Sequence, residues 1–260
     1  MGNSQLIHPS SIRVWRGFKN QQYQSNWTGF VDRLSEIFIP LTCQAMMPIG
    51  LKSYIPTLLK SDAGILPDEI ALVGYADQNT YYSASRDTVI GRGYALLHYE
   101  VFNFDSGAGI PSSQSAFPTA YSKGAFELSQ PYYFSGRPID WSVLEINVFA
   151  IPVQQSEVGG RIVTLADSLK YAVSHNLITE SILVQDSGYV ILWIGLDVGK
   201  KIPQDITDLI SAHTDVIHSI SGRASVPPMW TGGEPGIPIK DNQTLNLTLK
   251  SSAIGAFYYD

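Results

Sequence analysis

Hydrophobic positions near the start of the chain change their spacing from two residues to between three and four. Residues 11–18 alternate apolar and polar side chains, which predicts a half-buried strand. Over residues 27–41, apolar side chains recur every three or four positions, which predicts an amphipathic helix packed on a sheet. Asn26 or Ser25 is the expected cap of this helix, and Pro40 should kink or end it. The chain therefore opens with a strand and a helix that covers it.

The stretch 66–102 brings an arginine, a histidine and several tyrosines next to an apolar strand. That strand is predicted over residues 69–75, where a short apolar run lies between turn-forming residues. A short helix should follow over residues 79–87, capped by Asn79 or the residue after it. Residues 91–102 predict a second helix, with one apolar face. We expect the functional site in this stretch.

Two stretches of the first half lack a clear period. Residues 50–59 are apolar but contain Pro56, and we interpret them as a short helix or an irregular connection. Residues 105–130 are rich in Ser, Gly, Pro and Ala, and a connection of this length is usually a functional loop, a lid or disorder. Its aromatic residues favour an ordered loop that covers the site. A closing strand is predicted over residues 131–134.

The second half shows the same alternation of strand-like and helix-like spacing. The predicted elements, in chain order, are a strand over 141–151, a helix over 162–174, strands over 181–185 and 189–196 joined by a hairpin, a helix from Pro203 through Ile220, and a strand over 245–249. This order is β-α-β-β-α-β, the split βαβ or ferredoxin-like unit, in which an antiparallel sheet carries both helices on one face.

The first half gives a looser version of the same plan. We therefore predict an α+β protein made of two ferredoxin-like halves, residues 1–135 and 136–260, whose antiparallel sheets enclose a shared pocket. Trp15, Trp141 and Trp193 are expected to be buried, because aromatic side chains of this size dominate core energetics.

Two such units in one chain resemble a fused dimeric α/β-barrel, the arrangement of chlorite dismutases, dye-decolourising peroxidases and aldoxime dehydratases, and of paired antibiotic-biosynthesis-type monooxygenases. The resemblance is one of element order, and it carries over no catalytic residue. It implies a pocket between the curved sheet and its helices that holds a small apolar ligand or a haem. We expect no cofactor, and haem is the alternative. The candidate axial ligands for a haem are His98, His175, His213 and His218.

Composition narrows the range of partners. The chain has 260 residues, of which 44% are hydrophobic and 15% charged, so it can bury a large core. A net charge of -6 makes nucleic acid and anionic membranes poor partners. Cys43 is the single cysteine, which excludes an intrachain disulfide. The first ten residues resemble neither a signal peptide nor a membrane span, so a cytoplasmic location is the expectation, with secretion by a signal-independent route left open. A homo-oligomer is compatible with this composition.

Three residues are the predicted catalytic group: His98, Arg92 and Tyr94. A neutral imidazole can exchange a proton near physiological pH, and a guanidinium can hold an anion or an enolate. The alternative for His98 is a histidine at the edge of the core, with one ring nitrogen bonded to a carbonyl. Four further residues are predicted to bind the ligand: Tyr75, Tyr82, Trp141 and Arg137. No metal site is predicted.

The leading functional hypothesis is a cofactor-independent enzyme that acts on a small, partly apolar organic molecule by acid-base chemistry, as a lyase, isomerase, cyclase or oxygenase. A non-catalytic binding protein, such as an effector or toxin component that recognises a protein or glycan, is the first alternative. A haem-dependent enzyme is the second. A loop over a deep polar pocket would favour the enzyme, whereas a broad exposed aromatic patch would favour the binding protein.

Overall fold

The structure is a computed structural model, and it describes residues 5–61, 64–107, 109–124, 126–153, 160–213, 215–225 and 237–249. Within these residues, the strands form one eleven-stranded sheet. In chain order they are β1 (Ile12–Gly17), β2 (Leu51–Leu58), β3 (Glu69–Tyr75), β4 (Gln114–Ala116), β5 (Thr119–Ala120), β6 (Tyr132–Tyr133), β7 (Glu145–Pro152), β8 (Glu180–Gln185), β9 (Tyr189–Leu196), β10 (Ile217–Ser225) and β11 (Thr244–Thr248). The α-helices are α1 (Trp27–Arg33), α2 (Ile39–Met46), α3 (Gln78–Tyr82), α4 (Val89–Val101), α5 (Gly160–Ser174) and α6 (Gln204–Ser211).

The order of strands across the sheet is β4-β1-β3-β2-β11-β10-β7-β9-β8-β6-β5. The blocks β4-β1-β3-β2 and β10-β7-β9-β8 repeat one arrangement, in which the first and third strands of each half lie in the middle. All pairings inside the two blocks are antiparallel. The predicted α+β class with two ferredoxin-like halves is therefore confirmed, and the sheet forms a half-barrel.

The two halves share the core on the inner face of this sheet. Val14 and Leu72 of the first half and Val148 and Trp193 of the second half belong to one cluster of buried side chains. The predicted burial of Trp141 and Trp193 is confirmed, and Trp15 is partly buried. Packed side chains of both halves fill this inner face. The expectation that the two sheets enclose a shared pocket stays a prediction. The division of the chain into domains 1–135 and 136–260 stays a prediction.

The first predicted helix exists, but it does not end at Pro40. Asn26 caps it as predicted, since its Oδ1 accepts a hydrogen bond from Gly29 N at 3.0 Å. A π-helical turn, Leu34–Phe38, then links α1 to α2. In this turn Ile39 N bonds to Leu34 O, five residues back. The wider turn lets the chain accommodate the missing N–H of Pro40 and continue as a helix.

Residues 51–58 form strand β2, so their interpretation as a helix or an irregular connection is wrong. Leu58 N donates to Gln243 O, on the β11 side of the strand. Backbone nitrogens alternate sides along a strand, so the nitrogen of Pro56 faces the same side as Leu58 N. On that side β2 pairs with β11 only through Thr57 and Thr244. The missing N–H of Pro56 therefore removes no hydrogen bond from the sheet.

The predicted helix from Pro203 through Ile220 is also wrong in its second part. Helix α6 ends at Ser211, and residues 217–225 form strand β10, which pairs with β7 in the register Ile217 with Ala150. Pairing with a central strand overrides the local helical spacing of the apolar residues. Strand β10 therefore completes the second ferredoxin-like block. The strand predicted over 245–249 exists as β11, but it lies between the two blocks.

The irregular stretch 105–130 contains the strand that completes the first block. Its residues 114–116 form β4, which pairs with β1. The strand predicted over 131–134 exists as β6, but it pairs with β8 of the second half and does not close the first block. Helix α4 confirms the helix predicted over 91–102. The short helix before it, α3, is capped by Asp77 instead of Asn79 or Thr80.

Candidate active site

A cavity of about 260 Å³ lies in the first half, between the outer face of its sheet and the helices α2 and α4. The sheet contributes Arg13 and Trp15 from β1, Tyr54 from β2 and Tyr75 from β3. Side chains two residues apart in a strand point to the same face, so β1 presents Arg13 and Trp15 together. The cavity is therefore on the helix side of the sheet, where the fold resemblance implied a pocket.

Arg13 is the cation of the cavity wall. Its Nε donates to Ser115 Oγ of β4 at 2.8 Å, and its guanidinium carbon lies 4.3 Å from the centroid of the Tyr81 ring. Phe117 also faces this guanidinium, at 5.3 Å. No carboxylate among the described residues forms an ion pair with Arg13. Its positive charge therefore stays available to a bound anion.

Helix α4 forms the opposite wall. Thr88 caps it by accepting from Gly91 N at 2.8 Å, and this fixes the start of the helix. Tyr94 and His98 lie four residues apart, on the same face of the helix, and both line the cavity. The predicted shared face of these two residues is confirmed.

His98 is a neutral base inside this wall. Its Nδ1 lies 3.2 Å from Tyr94 O, and since a carbonyl oxygen accepts, Nδ1 carries the proton. The other nitrogen, Nε2, makes no hydrogen bond with any residue that the structure describes. Rings of Trp15 and Phe38 pack edge-on against the imidazole. Burial lowers the pKa of His98 to about 4, so the ring is uncharged near neutral pH and Nε2 accepts hydrogen bonds.

A buried carboxylate lies directly behind two cavity residues. Glu69, at the first position of β3, is fully buried, and it accepts hydrogen bonds from Trp15 Nε1 and Tyr54 OH, each at 2.8 Å. In the described part of the chain no lysine, arginine or histidine forms an ion pair with it. Burial raises the pKa of Glu69 to about 7, although both hydrogen bonds oppose the shift. The carboxyl group can therefore take or release a proton near neutral pH.

Three tyrosine hydroxyls complete the polar lining. Thr42 donates to Phe38 O at 2.7 Å, so Tyr94 OH donates to the Thr42 oxygen. The hydroxyl of Tyr54 donates to Glu69. The hydroxyl of Tyr75 makes no hydrogen bond with a described residue. Burial raises the pKa of Tyr75, with the nearby Tyr81 adding to the shift and Arg13 opposing it. Tyr75 is therefore a neutral hydrogen-bond donor without an acceptor among the described residues.

Of the seven residues predicted for the site, three meet in the cavity: His98, Tyr94 and Tyr75. Arg92 does not line it. The Arg92 side chain is exposed and donates to Arg86 O at 2.9 Å, on the solvent side of α4.

The remaining three predicted ligand contacts also lie outside the cavity. Tyr82 packs against Tyr81 and Phe117 at its border. Trp141 is 1% exposed and belongs to the core shared by both halves. Arg137 is exposed near the junction between the halves.

Sequence reasoning missed Arg13 and Glu69. The alternation in residues 11–18 places Arg13 and Trp15 on one face of the strand. This pattern could have identified Arg13 as a candidate. Glu69 is the first residue of the predicted strand 69–75, but the sequence does not show which way its side chain points. Only the tertiary structure shows that its carboxyl group turns inward. The stretch 105–130, expected to cover the site, contributes Ser115 to the cavity wall.

The described residues contain no group of three or more His, Cys, Asp or Glu side chains arranged to hold a metal ion. None of the helices in the described ranges is long and apolar enough to cross a membrane.

No protein-family model matches the sequence, and no curated protein matches it. Two solved structures show a distant likeness to the chain. The putative monooxygenase of Fusobacterium nucleatum has 8% identity and a TM-score of 0.38, covering 80% of this chain and 88% of that one. The putative monooxygenase of Lactobacillus acidophilus has 4% identity and a TM-score of 0.37, covering 80% of this chain and 90% of that one. At these identities and TM-scores, neither structure assigns a function to this chain.

Proposed function

We propose that the cavity is the active site of a cofactor-independent enzyme that acts on a small, partly apolar organic molecule by acid-base chemistry. The observation that carries the proposal is the Tyr54–Glu69 pair. Tyr54 lines the cavity and donates to a buried carboxylate that no described cation neutralises. A general base is most effective when its pKa lies near the working pH, and Glu69 meets this condition with a pKa raised to about 7.

The proton follows a two-step path in this proposal. An acidic C–H or O–H bond of the substrate breaks, and the oxygen of Tyr54 receives the proton. The original hydroxyl proton of Tyr54 passes to Glu69 along the existing 2.8 Å hydrogen bond. The electron pair stays on the substrate as an enolate or phenolate. Glu69 becomes neutral, and this is the form that its buried site favours.

The anion left on the substrate needs hydrogen-bond donors and positive charge. Within the described part of the chain, the Arg13 guanidinium forms no ion pair and the Tyr75 hydroxyl forms no hydrogen bond, so both can contact this anion. Donors already in place where charge develops contribute strongly to rate. His98 accepts a hydrogen bond from a substrate hydroxyl through Nε2 and thereby orients the ring or chain that carries it.

The size and lining of the cavity limit the substrate. Its volume of about 260 Å³ is just below the range of about 300–1,000 Å³ that holds drug-sized ligands, and its walls are mainly aromatic. A single-ring compound or a short branched carbonyl compound fits, whereas a haem exceeds this volume. Lyase, isomerase, cyclase and oxygenase reactions of such molecules share the deprotonation step. An oxygenase would add molecular oxygen to the same anion.

Hydrogen–deuterium exchange tests this proposal without knowledge of the physiological substrate. Small enolisable carbonyl compounds are incubated with the protein in D₂O, and ¹H NMR follows the loss of their acidic C–H signals. Wild type should accelerate exchange for a subset of compounds. Glu69→Gln, Tyr54→Phe and Arg13→Gln should each lower the rate by roughly 10²- to 10⁴-fold. Arg92→Gln, which changes an exposed arginine on the same helix as His98, is the matched control and should exchange as wild type.

The pH profile separates a base from a residue that only supports the fold. The wild-type rate should rise with pH through an inflection near the Glu69 pKa of about 7, and Glu69→Gln should lose that inflection. If compounds bind but their hydrogen exchange is not accelerated, the non-catalytic binding function is favoured over this proposal. Exchange that is unchanged in Glu69→Gln and Tyr54→Phe would exclude the proton path.

A further inference from the structure

The two halves repeat a polar pair at one position of the sheet. In the first half Trp15 lies opposite Ser115, and Arg13, two residues before Trp15, donates to the Ser115 side chain at 2.8 Å. In the second half Phe149 lies opposite His218, and Asn147, two residues before Phe149, bonds to His218 Nε2 at 3.0 Å.

The strands involved are the first and last of each four-stranded block. Asn147 therefore occupies the place of Arg13, and His218 occupies the place of Ser115.

The second half also has a cleft in the position of the first-half cavity. It has a volume of about 560 Å³ and lies between β7, β10 and helix α6, on the helix side of the sheet. Helix α6 follows the third strand of its block, as α4 does in the first half. This volume is within the range of about 300–1,000 Å³ typical of small-molecule sites. The repeated architecture thus provides a second concave site.

The wall of this cleft contains a stacked pair of rings. The imidazole of His218 lies parallel to the Phe149 ring, with centroids 4.3 Å apart and an interplanar angle of 4°. His218 is exposed, so its outer face is open to a planar group. Two stacked rings already in place bind a third planar ring at low conformational cost.

Beneath the imidazole lies an amide with an unsatisfied group. Asn147 is 4% exposed, and its Oδ1 accepts from His218 Nε2, while its Nδ2 has no partner among the described residues. A buried N–H without an acceptor is destabilising, and a ligand oxygen placed beside the imidazole would satisfy it. The exposed His218 ring has to shift for that oxygen to enter.

The charges that line the cleft are separated. Lys200 lines the cleft, but it is paired at 2.7 Å with Asp197, which does not line it. Lys201 and Glu145 both line the cleft, and neither forms an ion pair in the described part of the chain. The other titratable side chains of the lining are His213 and His218. A ligand with an acidic group for Lys201 and a hydrogen-bond donor for Glu145 would satisfy both.

We propose that the cleft beside Phe149 and His218 is a second binding site, which takes a small planar ring acid that also carries a hydrogen-bond donor. The proposal does not depend on chemistry in the first-half cavity. In the bound state the ring stacks on His218, the acidic group contacts Lys201, and the donor faces Glu145.

Binding to the full chain tests the proposal with three related probes. 4-Hydroxybenzoate carries both groups, benzoate lacks the donor, and phenol lacks the acid. Each probe is titrated into isotope-labelled protein, and the His218 imidazole signals are followed by NMR. 4-Hydroxybenzoate should bind most tightly and shift the His218 signals. Lys201→Gln and His218→Ala should each weaken it about tenfold, a difference of about 1.4 kcal/mol. Glu145→Gln should remove its advantage over benzoate.

Two controls make the result specific. Lys52→Gln removes an exposed lysine of β2 in the first half and should bind the probe as wild type. Arg13→Gln changes the other cavity and should also leave this binding unchanged. Absence of saturable binding up to about 10 mM would overturn the proposal. Equal affinity in wild type, Lys201→Gln and His218→Ala would overturn it as well, as would shifts confined to residues around His98.

Discussion

The indole nitrogen of Trp15 lies 2.8 Å from Oε2 of Glu69, so one wall of the cavity is held by a fully buried carboxyl group. The hydroxyl of Tyr54 binds the other oxygen of the same group. Glu69 therefore positions two cavity side chains on neighbouring strands. Protonation of Glu69 therefore affects the two side chains of the cavity wall as well as the stability of the sheet.

Replacement of Glu69 by Gln should change how stability depends on pH. Burial raises the pKa of Glu69 from an ordinary 4.5 to about 7, so the folded state holds a proton that the unfolded state releases. The stabilisation is complete below pH 4.5 and is lost as pH rises through 7. Between pH 4.5 and 7, the free energy of unfolding of wild type should fall by roughly 3 kcal/mol relative to that of Glu69→Gln. Urea unfolding of both proteins at several pH values measures the difference.

The informative quantity is the difference between the free energies of unfolding of wild type and Glu69→Gln at each pH. Other buried acids, such as Glu180, titrate in both proteins and cancel. Parallel curves for wild type and Glu69→Gln would mean that the Glu69 carboxylate stays ionised when folded.

Gly91→Ala should destabilise the protein, whereas Gly93→Ala should not. A Cβ on Gly91 would lie 1.9 Å from Ala84 O, a backbone atom that cannot move alone, so helix α4 would have to shift. Overpacking of this kind typically costs about 1–3 kcal/mol. A Cβ on Gly93 meets no described atom within 4 Å, and replacing glycine by alanine inside a helix contributes about 0.5–1 kcal/mol. Denaturant unfolding of the two variants provides the comparison, and equal stabilities would contradict it.

Thr244→Val should weaken the junction between the halves. The Thr244 hydroxyl lies 2.8 Å from Thr57 Oγ1 of β2 and 2.8 Å from Ser219 Oγ of β10, and all three residues are buried. Valine at position 244 leaves the hydroxyls of Thr57 and Ser219 buried without this partner. Each such loss typically lowers the free energy of unfolding by about 1–3 kcal/mol.

The matched control for this change is Thr248→Val on the same strand, which is exposed and should alter stability by about 0.5 kcal/mol or less. Thermal or urea unfolding measures both variants. A Thr244→Val protein as stable as its control would show that water replaces the lost partner.

Trp193→Ala should destabilise both halves together. Trp193 lies in β9 and is fully buried in the core that also contains Val14 and Leu72 of the first half. Truncation of a buried tryptophan typically costs about 3–5 kcal/mol. Amide hydrogen exchange should accelerate in β3 as well as in β9, because the two strands share this core. Faster exchange in β9 alone would indicate that the halves unfold independently. Trp193→Phe keeps most of the ring and should cost less.

Much of the fold was predictable because local spacing reports which side of an element is buried. The alternation in residues 11–18, the apolar run of β3 and the hairpin of β8 and β9 were each visible from side-chain order alone. Helix α4 was predicted together with its cavity face, since residues four apart in a helix lie on one side. The α+β class followed from the order of these elements.

The sequence by itself therefore determined the class of the protein and most of its elements. It also grouped His98, Tyr94 and Tyr75, which line one cavity. Only the tertiary structure decided that β4 and β10 complete the two blocks, because both strands form through pairing with distant residues. It also placed Glu69 and Arg13 in or behind the cavity wall and Arg92 outside it. A side chain's charge is visible in the sequence. Its burial and its partners depend on contacts between residues far apart in the chain, and these contacts set its pKa and its chemistry.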